Sequence, residues 1–188
     1  MSEYVLTSAP PLAGYERRFG AITLKAPGHL AFVSIALPLG GEEAAQAAIM
    51  AAYGQCLPGI GKALTVEDGT ILMRMGQDQG FVLFAHDAPD GEAVVASKLN
   101  GAAYITDQTD VWTALEINGA GARRALARIC PLDLHDDAFA VMDVARTVME
   151  HLGVIILRTG PQTWFLLSAS SSSESFVHVL ETSIRNTT

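Results

Sequence analysis

The stretch 69–85, GTILMRMGQDQGFVLFA, is written a second time as 153–169, GVIILRTGPQTWFLLSA. Gly69/Gly153, Ile71/Ile155, Arg74/Arg158, Gly76/Gly160, Phe81/Phe165, Leu83/Leu167 and Ala85/Ala169 coincide without a gap. In each copy two apolar runs of strand length flank a short polar turn, which is the pattern of a hairpin. A chain that repeats a hairpin at this distance has repeated something larger than a hairpin.

The recurrence extends outward. AFVSIAL (31–37) and VWTALEI (111–117) have the β-branched and aromatic content of strands. GGEEAAQAAIMAAYG (40–54) then opens on glycines and acids and continues in strong helix formers. GAGARRALARIC (119–130) does the same, with Ala122, Ala125, Leu126 and Ile129 on one face. DGEAVVASKLN (90–100) and SSSESFVHVLETSI (171–184) read as closing helices, and AITLKA (21–26) and AAYIT (102–106) as opening strands. DVARTVMEHLG (143–153) is helical by propensity. Its repeat partner KALTVEDG (62–69) is strand-like, and the alternation through Val144, Arg146 and Val148 permits a strand, so a strand is expected.

Each half therefore reads strand, strand, helix, three strands, helix. Helices separated by runs of strands with hairpin-length turns predict an α+β fold. It is an internal duplication with largely antiparallel sheets and a pseudo-twofold axis. The expected organisation is an extended N-terminal arm at 1–20, with Pro10, Pro11 and Gly14, and one duplicated domain at 21–188. Its halves fall at about 21–101 and 102–188. A period this long is unlike the 20–50 residues of solenoids.

Composition narrows the class. The chain has 188 residues, enough for one domain with a substantial core. Charged residues make up 17%, against about 25% in an average soluble domain, and hydrophobic residues 49%. A greasy chain of this kind fits one that covers part of its surface with a partner, or an alanine-rich domain with an ordinary surface. No apolar run approaches a membrane span, and MSEYVLTSAPPL has neither the basic nor the apolar segment of a secretory signal. A cytoplasmic location is expected. The net charge of −8 and the lack of a lysine–arginine cluster argue against nucleic acid and against an anionic membrane surface.

Searching for chemistry yields little. CLPGIGKAL (56–64) carries Gly61–Lys62, but the phosphate-loop pattern needs glycine at 56 and serine or threonine at 63, where Cys56 and Ala63 stand. A proline-glycine turn is expected there. Cys56 and Cys130 occupy equivalent places in the halves and read as small buried residues. His29, His86, His135, His151 and His178 form no ligand-spaced pair; His135 sits among Asp133, Asp136 and Asp137, as in a charged loop. Ser171 and Glu174 fit a capping box. ITDQTDVW (105–112) joins the halves and carries Asp107 and Asp110. A junction of this kind is a natural place for a pocket, while Asp and Thr there equally suit a turn that bonds its own backbone.

DQTDVWTALEINGAGARRALARICPLDLHDDAF, followed by ARTVMEHLGVIILRTGPQTWFLLSASSSSESFVHVL, resembles the gamma-subunit family of heterotetrameric sarcosine oxidase. The resemblance is strongest over 104–184, and SAPPLAGYERRF is similar to the arm that opens such chains. It implies the fold of the folate-binding domain of the glycine-cleavage T-protein. It also implies a non-catalytic subunit packed against alpha, beta and delta subunits. The whole enzyme would demethylate sarcosine to glycine with oxygen, giving hydrogen peroxide and, with tetrahydrofolate, 5,10-methylenetetrahydrofolate. By the same resemblance FAD, FMN, NAD, zinc and tetrahydrofolate belong to the other subunits, and no cofactor is expected on this chain. Fold analogy offers Asp107 as a carboxylate for a pterin-like ring, with Thr109 where T-protein relatives usually place serine. Two other readings follow: a free-standing folate-binding protein that uses Asp107, and a homodimeric interaction domain.

Overall fold

The structure, a computed structural model, describes residues 9–187. The strands are β1 (Glu16–Phe19), β2 (Ile22–Lys25), β3 (Leu30–Ala36), β4 (Lys62–Thr65), β5 (Ile71–Arg74) and β6 (Gln79–Ala85). They continue with β7 (Tyr104–Asp107), β8 (Trp112–Asn118), β9 (Val144–Met149), β10 (Leu152–Gly160) and β11 (Thr163–Ala169). The helices are α1 (Glu42–Tyr53), α2 (Gly91–Leu99), α3 (Ala122–Leu126) and α4 (Ser173–Arg185). This is the α+β duplication the sequence predicts, and every strand pairing is antiparallel.

The halves exchange their opening strands. The second half's sheet runs β1-β2-β8-β11-β10-β9, so it takes β2 from the first half. The first half's sheet runs β4-β5-β6-β3-β7, so it takes β7 from the second. Each half's sheet is completed by a strand of the other half.

The layers are helix, sheet, sheet, helix. Alternation along the strands sends successive side chains to opposite faces. Phe32, Met73, Phe81 and Leu83 of one sheet meet Ile155, Leu157, Phe165 and Leu167 of the other in a core between the sheets. Val33, Ile35, Leu72 and Val82 face outward onto Ala45 and Ile49 of α1 and Val95 and Leu99 of α2. Leu115, Ile117, Ile156 and Leu166 do the same onto Ala125 and Leu126 of α3 and Phe176 and Leu180 of α4. The sheets also touch through backbone at one edge, where the Ala63 amide donates to the Met142 carbonyl (2.8 Å) and the Val144 amide to that of Gly61 (3.0 Å).

The ambiguous stretch 143–153 is the β9–β10 hairpin, turned at Glu150 with φ +55. Two local expectations fail. The helix expected over 119–130 is regular only from Ala122 to Leu126, because Gly119 and Gly121 take positive φ ahead of it and Pro131 follows closely. The Ser171–Glu174 capping box does not form. A short 3-10 turn, Ser170–Ser172, precedes α4, and the Ser173 hydroxyl donates to the Ser170 carbonyl instead.

Part of the expected arm is strand: β1 pairs with β2 as the outer edge of the six-stranded sheet. Residues 1–8 of that arm lie outside the described residues. The arm is tied to α4 by Glu181, which is 7% exposed. Its carboxylate accepts from the Tyr15 hydroxyl (2.7 Å) and meets Arg17 (3.1 Å) and Arg185 (2.5 Å).

Candidate functional site

The fold brings the ends of β3 and β8 together about the pseudo-twofold, and a cavity of about 110 Å³ lies there. Its floor is built from repeat-related pairs. Leu30 and Trp112 open β3 and β8. Phe32 is paired across its sheet with Leu83, and Ala114 across the other with Leu167. All six line the cavity. Its walls are three loops and the arm: residues 26–29 after β2, 86–89 after β6, the β7–β8 link, and 9–12. Phe32 stacks on Phe81 at 4.8 Å and meets Trp112 edge to face at 6.0 Å.

Asp107 ends β7 and lines this cavity, as do Thr109 and Asp110. Both expectations for the junction hold at once. One Asp107 carboxylate oxygen accepts from the Thr109 amide (2.8 Å), and the Thr109 hydroxyl accepts from the Phe32 amide (3.1 Å). The turn bonds its own backbone, and the same turn forms a cavity wall.

The linear sequence did not single out His29, His86, Asp87 or Thr113 for this place. The His86 ring is within 2.5 Å of Asp90, and the His86 amide donates to the His29 carbonyl (3.1 Å). The available signal was the repeat itself: it makes the loop after β2 and the link after β7 equivalent, so they must converge on the axis. Among the described residues, the buried Trp112 Nε1 and Thr113 Oγ1 have no hydrogen-bond partner; the two side chains leave β8 on opposite faces, Trp112 between the sheets and Thr113 on the side of Leu115 and Ile117.

The remaining candidates lie elsewhere. His135 pairs with Asp137 in an exposed loop (3.3 Å), and Asp136 of that loop clamps Arg158 (2.7 Å). The Arg158 hydrogen bond holds the Asp136 carboxyl below the usual carboxylate range, with the Arg158, Arg123 and His135 charges adding to it and desolvation opposing. Cys130 is buried and Cys56 half-buried, and both are free thiols. His151 and His178 line a second, shallower groove with Arg128 and Glu150. No group of three histidine, cysteine or acidic side chains is placed to hold a metal ion among the described residues. None of the helices among them is long and apolar enough to cross a membrane.

Comparison with known proteins decides the family. The chain is 32% identical over 142 residues to the sarcosine oxidase subunit gamma of an Arthrobacter species, a match covering 73% of this chain and 68% of that protein. The chain belongs to the sarcosine oxidase gamma-subunit family. The subunit gamma of Corynebacterium sp. P-1 is 30% identical over 135 residues, 71% of this chain and 66% of that protein. The matched stretch spans about two thirds of these relatives' length. No protein-family model matches the chain.

Solved structures agree on the fold of this family member. A chain of the heterotetrameric sarcosine oxidase from Corynebacterium sp. U-96 superposes with a TM-score of 0.79 at 24% identity, over 95% of both chains. The glycine cleavage aminomethyltransferase T of Bartonella henselae superposes with a TM-score of 0.64 at 16% identity, over 85% of this chain and 45% of that one. The T-protein-like fold expected from the resemblance is therefore the fold of this chain.

Proposed function

We propose that this chain is the non-catalytic gamma subunit of a heterotetrameric sarcosine oxidase. The observation that carries the reading is the 32% identity to a subunit gamma over 73% of the chain. The assembly would oxidise the N-methyl group of sarcosine, reduce oxygen to hydrogen peroxide and release glycine, with the methyl carbon passing to tetrahydrofolate as 5,10-methylenetetrahydrofolate. Alpha, beta and delta subunits are the partners in this reading, and FAD, FMN, NAD and zinc reside on them.

The residues of this chain suit a packing role. Several of its charged side chains, such as Glu181 with Arg185 and Asp136 with Arg158, are engaged in structural pairs. Leu39 is fully exposed and Tyr104 is 69% exposed. Tyr104 lies on β7, the unpaired edge of the five-stranded sheet. Apolar side chains there are suited to burial against another subunit.

Tetrahydrofolate binding through Asp107 has one favourable observation, its place on a cavity with an aromatic wall. Against it, among the described residues no lysine or arginine lines that cavity to meet the carboxylates of a folate's glutamyl tail.

The test is co-purification. The tagged full chain, recovered from its native host grown on sarcosine, is expected to bring three companions and a flavin absorbance spectrum. A colourless chain recovered alone would overturn the reading.

A further inference from the structure

We propose that the free edge of β7 is a docking edge for the chain's own N-terminal segment, residues 3–8, added to it as a further strand. This goes beyond the subunit reading and does not rest on it.

The duplication is the first argument. The strands β3 and β8 are repeat-related, and β2 pairs with β8 where β7 pairs with β3. Leu24 stands opposite Ile117 in one sheet, and Ile105 opposite Ile35 in the other. The lent strands β2 and β7 therefore hold equivalent places. β2 carries a further strand, β1, on its outer side. Among the described residues β7 carries none.

The backbone is the second. The Gln108 amide donates to the Phe32 carbonyl (2.8 Å). Bonded and non-bonded pairs alternate along an antiparallel ladder, so Thr106 and Tyr104 turn their amides and carbonyls toward Ser34 and Ala36. Ile105 and Asp107 turn theirs outward, away from β3.

The chemistry of the edges is the third. Sheet edges are ordinarily blunted by charge or by cover. β1 presents Glu16, Arg17 and Arg18, all exposed. β4 and β9 cover one another, through the Lys62–Asp143 bridge and the bond from the Val144 amide to the Gly61 carbonyl. β7 has no lysine or arginine, and its first three residues are uncharged.

The chain itself supplies the occupant. Eight residues precede Ala9. Ala9 lines the axial cavity, and so does Asp107, the last residue of β7. At about 3.3 Å per residue, residues 3–8 span about 20 Å, more than the four residues of β7. Leading away from Ala9, they pass from the Asp107 end toward the Tyr104 end, parallel to β7. Their sequence, EYVLTS, holds Tyr4, Val5 and Thr7, types that favour strands, and no proline. Side chains leave a strand above and below the sheet, so an added strand leaves a face of β7 open to another subunit.

Amide exchange of the purified full chain tests this. The Ile105 and Asp107 amides are expected to exchange slowly. Deleting residues 1–8 should speed both by about tenfold or more, with the Tyr104 and Thr106 amides and thermal unfolding little changed. Val5→Pro and Leu6→Pro repeat the test at full length. Successive amides of a strand face opposite edges, so one of the two should open Ile105 and Asp107 as the deletion does, and the other less. Fast exchange of Ile105 and Asp107 in the full chain overturns the proposal. So does slow exchange that survives the deletion; if it then rises with protein concentration, the edge belongs to a second copy. The measurement needs no other subunit, so its failure leaves the co-purification result standing.

Discussion

Arg74 and Arg158, equivalent in the two repeats, hold their hairpins by the same pair of bonds. Arg74 Nε donates to the Gly76 carbonyl (3.2 Å) and Nη2 to that of Gln77 (2.6 Å). Arg158 Nε donates to the Gly160 carbonyl (3.3 Å) and Nη2 to that of Pro161 (2.9 Å). The planar fork of a guanidinium is what lets one side chain satisfy two successive turn carbonyls. The copies then diverge in burial. Arg158 is 4% exposed and also donates to the Phe139 carbonyl (2.7 Å) and to Asp136 (2.7 Å), so it ties the 133–139 loop to the hairpin.

That divergence predicts unequal mutational costs. Arg158→Ala removes a buried guanidinium and leaves the Phe139, Gly160 and Pro161 carbonyls short of donors, and should destabilise the chain by about 3 kcal/mol. Arg74→Ala, at a more exposed site, should cost about 1 kcal/mol. Urea unfolding of the two variants decides it, and equal shifts in midpoint would contradict the account. Arg158→Lys should rescue little, since an ammonium cannot reproduce the fork.

The Glu181 clamp predicts an acid response of the arm. Burial pulls the Glu181 carboxyl upward. The Tyr15 hydrogen bond and the Arg17 and Arg185 guanidiniums outweigh it and hold the carboxyl below the usual range. A carboxyl depressed in the folded state binds fewer protons there than in the unfolded chain. Its stabilisation is therefore complete above the ordinary glutamate value, about pH 4.3, and is lost as pH falls through the lower folded value. Burial, with the Glu181 hydrogen bond and charge, raises the Tyr15 phenol, so Tyr15 stays a donor at neutral pH. Amide exchange of Glu16–Phe19 should stay slow down to about pH 4 and accelerate below it. Glu181→Gln should open the same strand at pH 7, by about 2 kcal/mol.

The repeat made most of the fold legible, because a hairpin's period-two pattern and turn residues act locally. The exchange of β2 and β7 was not legible. Either opening strand satisfies its alternation in either sheet, and only three-dimensional packing selects the partner. The sequence equivalence of Gly69 and Gly153 also hides a difference. Gly69 sits in a turn at φ +85, whereas Gly153 lies within β10. The cavity was half legible. Asp107 and Asp110 stood out at the junction, but His86, Asp87 and Thr113 reach it from strands and loops whose convergence is tertiary.

Strand exchange predicts mutual dependence of the halves. Residues 21–101 alone leave β3 without β7, and residues 102–188 alone leave β8 without β2. Each also exposes its side of the core between the sheets, including Phe81 or Phe165. Each fragment alone is expected to show no cooperative thermal unfolding, and mixing the two should restore it together with the far-ultraviolet dichroism of the intact chain. Cooperative melting of either fragment by itself would show that a half closes its own core.

Gly119 predicts where the exchanged strand meets the chain most tightly. Its φ is +126, and a Cβ added there would lie 2.0 Å from the Ala21 carbonyl oxygen and 3.1 Å from the Ile22 Cα. Ala21 and Ile22 lead into β2, the strand lent by the other half, and the obstructing atoms are backbone, so no rotamer change relieves them. Gly119→Ala is expected to cost about 3 kcal/mol or more, combining backbone strain with displacement of β2. Gly153→Ala is the matched control. Its φ is not positive and nothing lies within 4 Å of an added Cβ, so it should be neutral or stabilising by up to about 1 kcal/mol. Urea midpoints compare the two directly. A Gly119→Ala variant as stable as the parent would mean that β2 docks more loosely on β8 than this approach requires, and the interdependence of the halves would weaken with it.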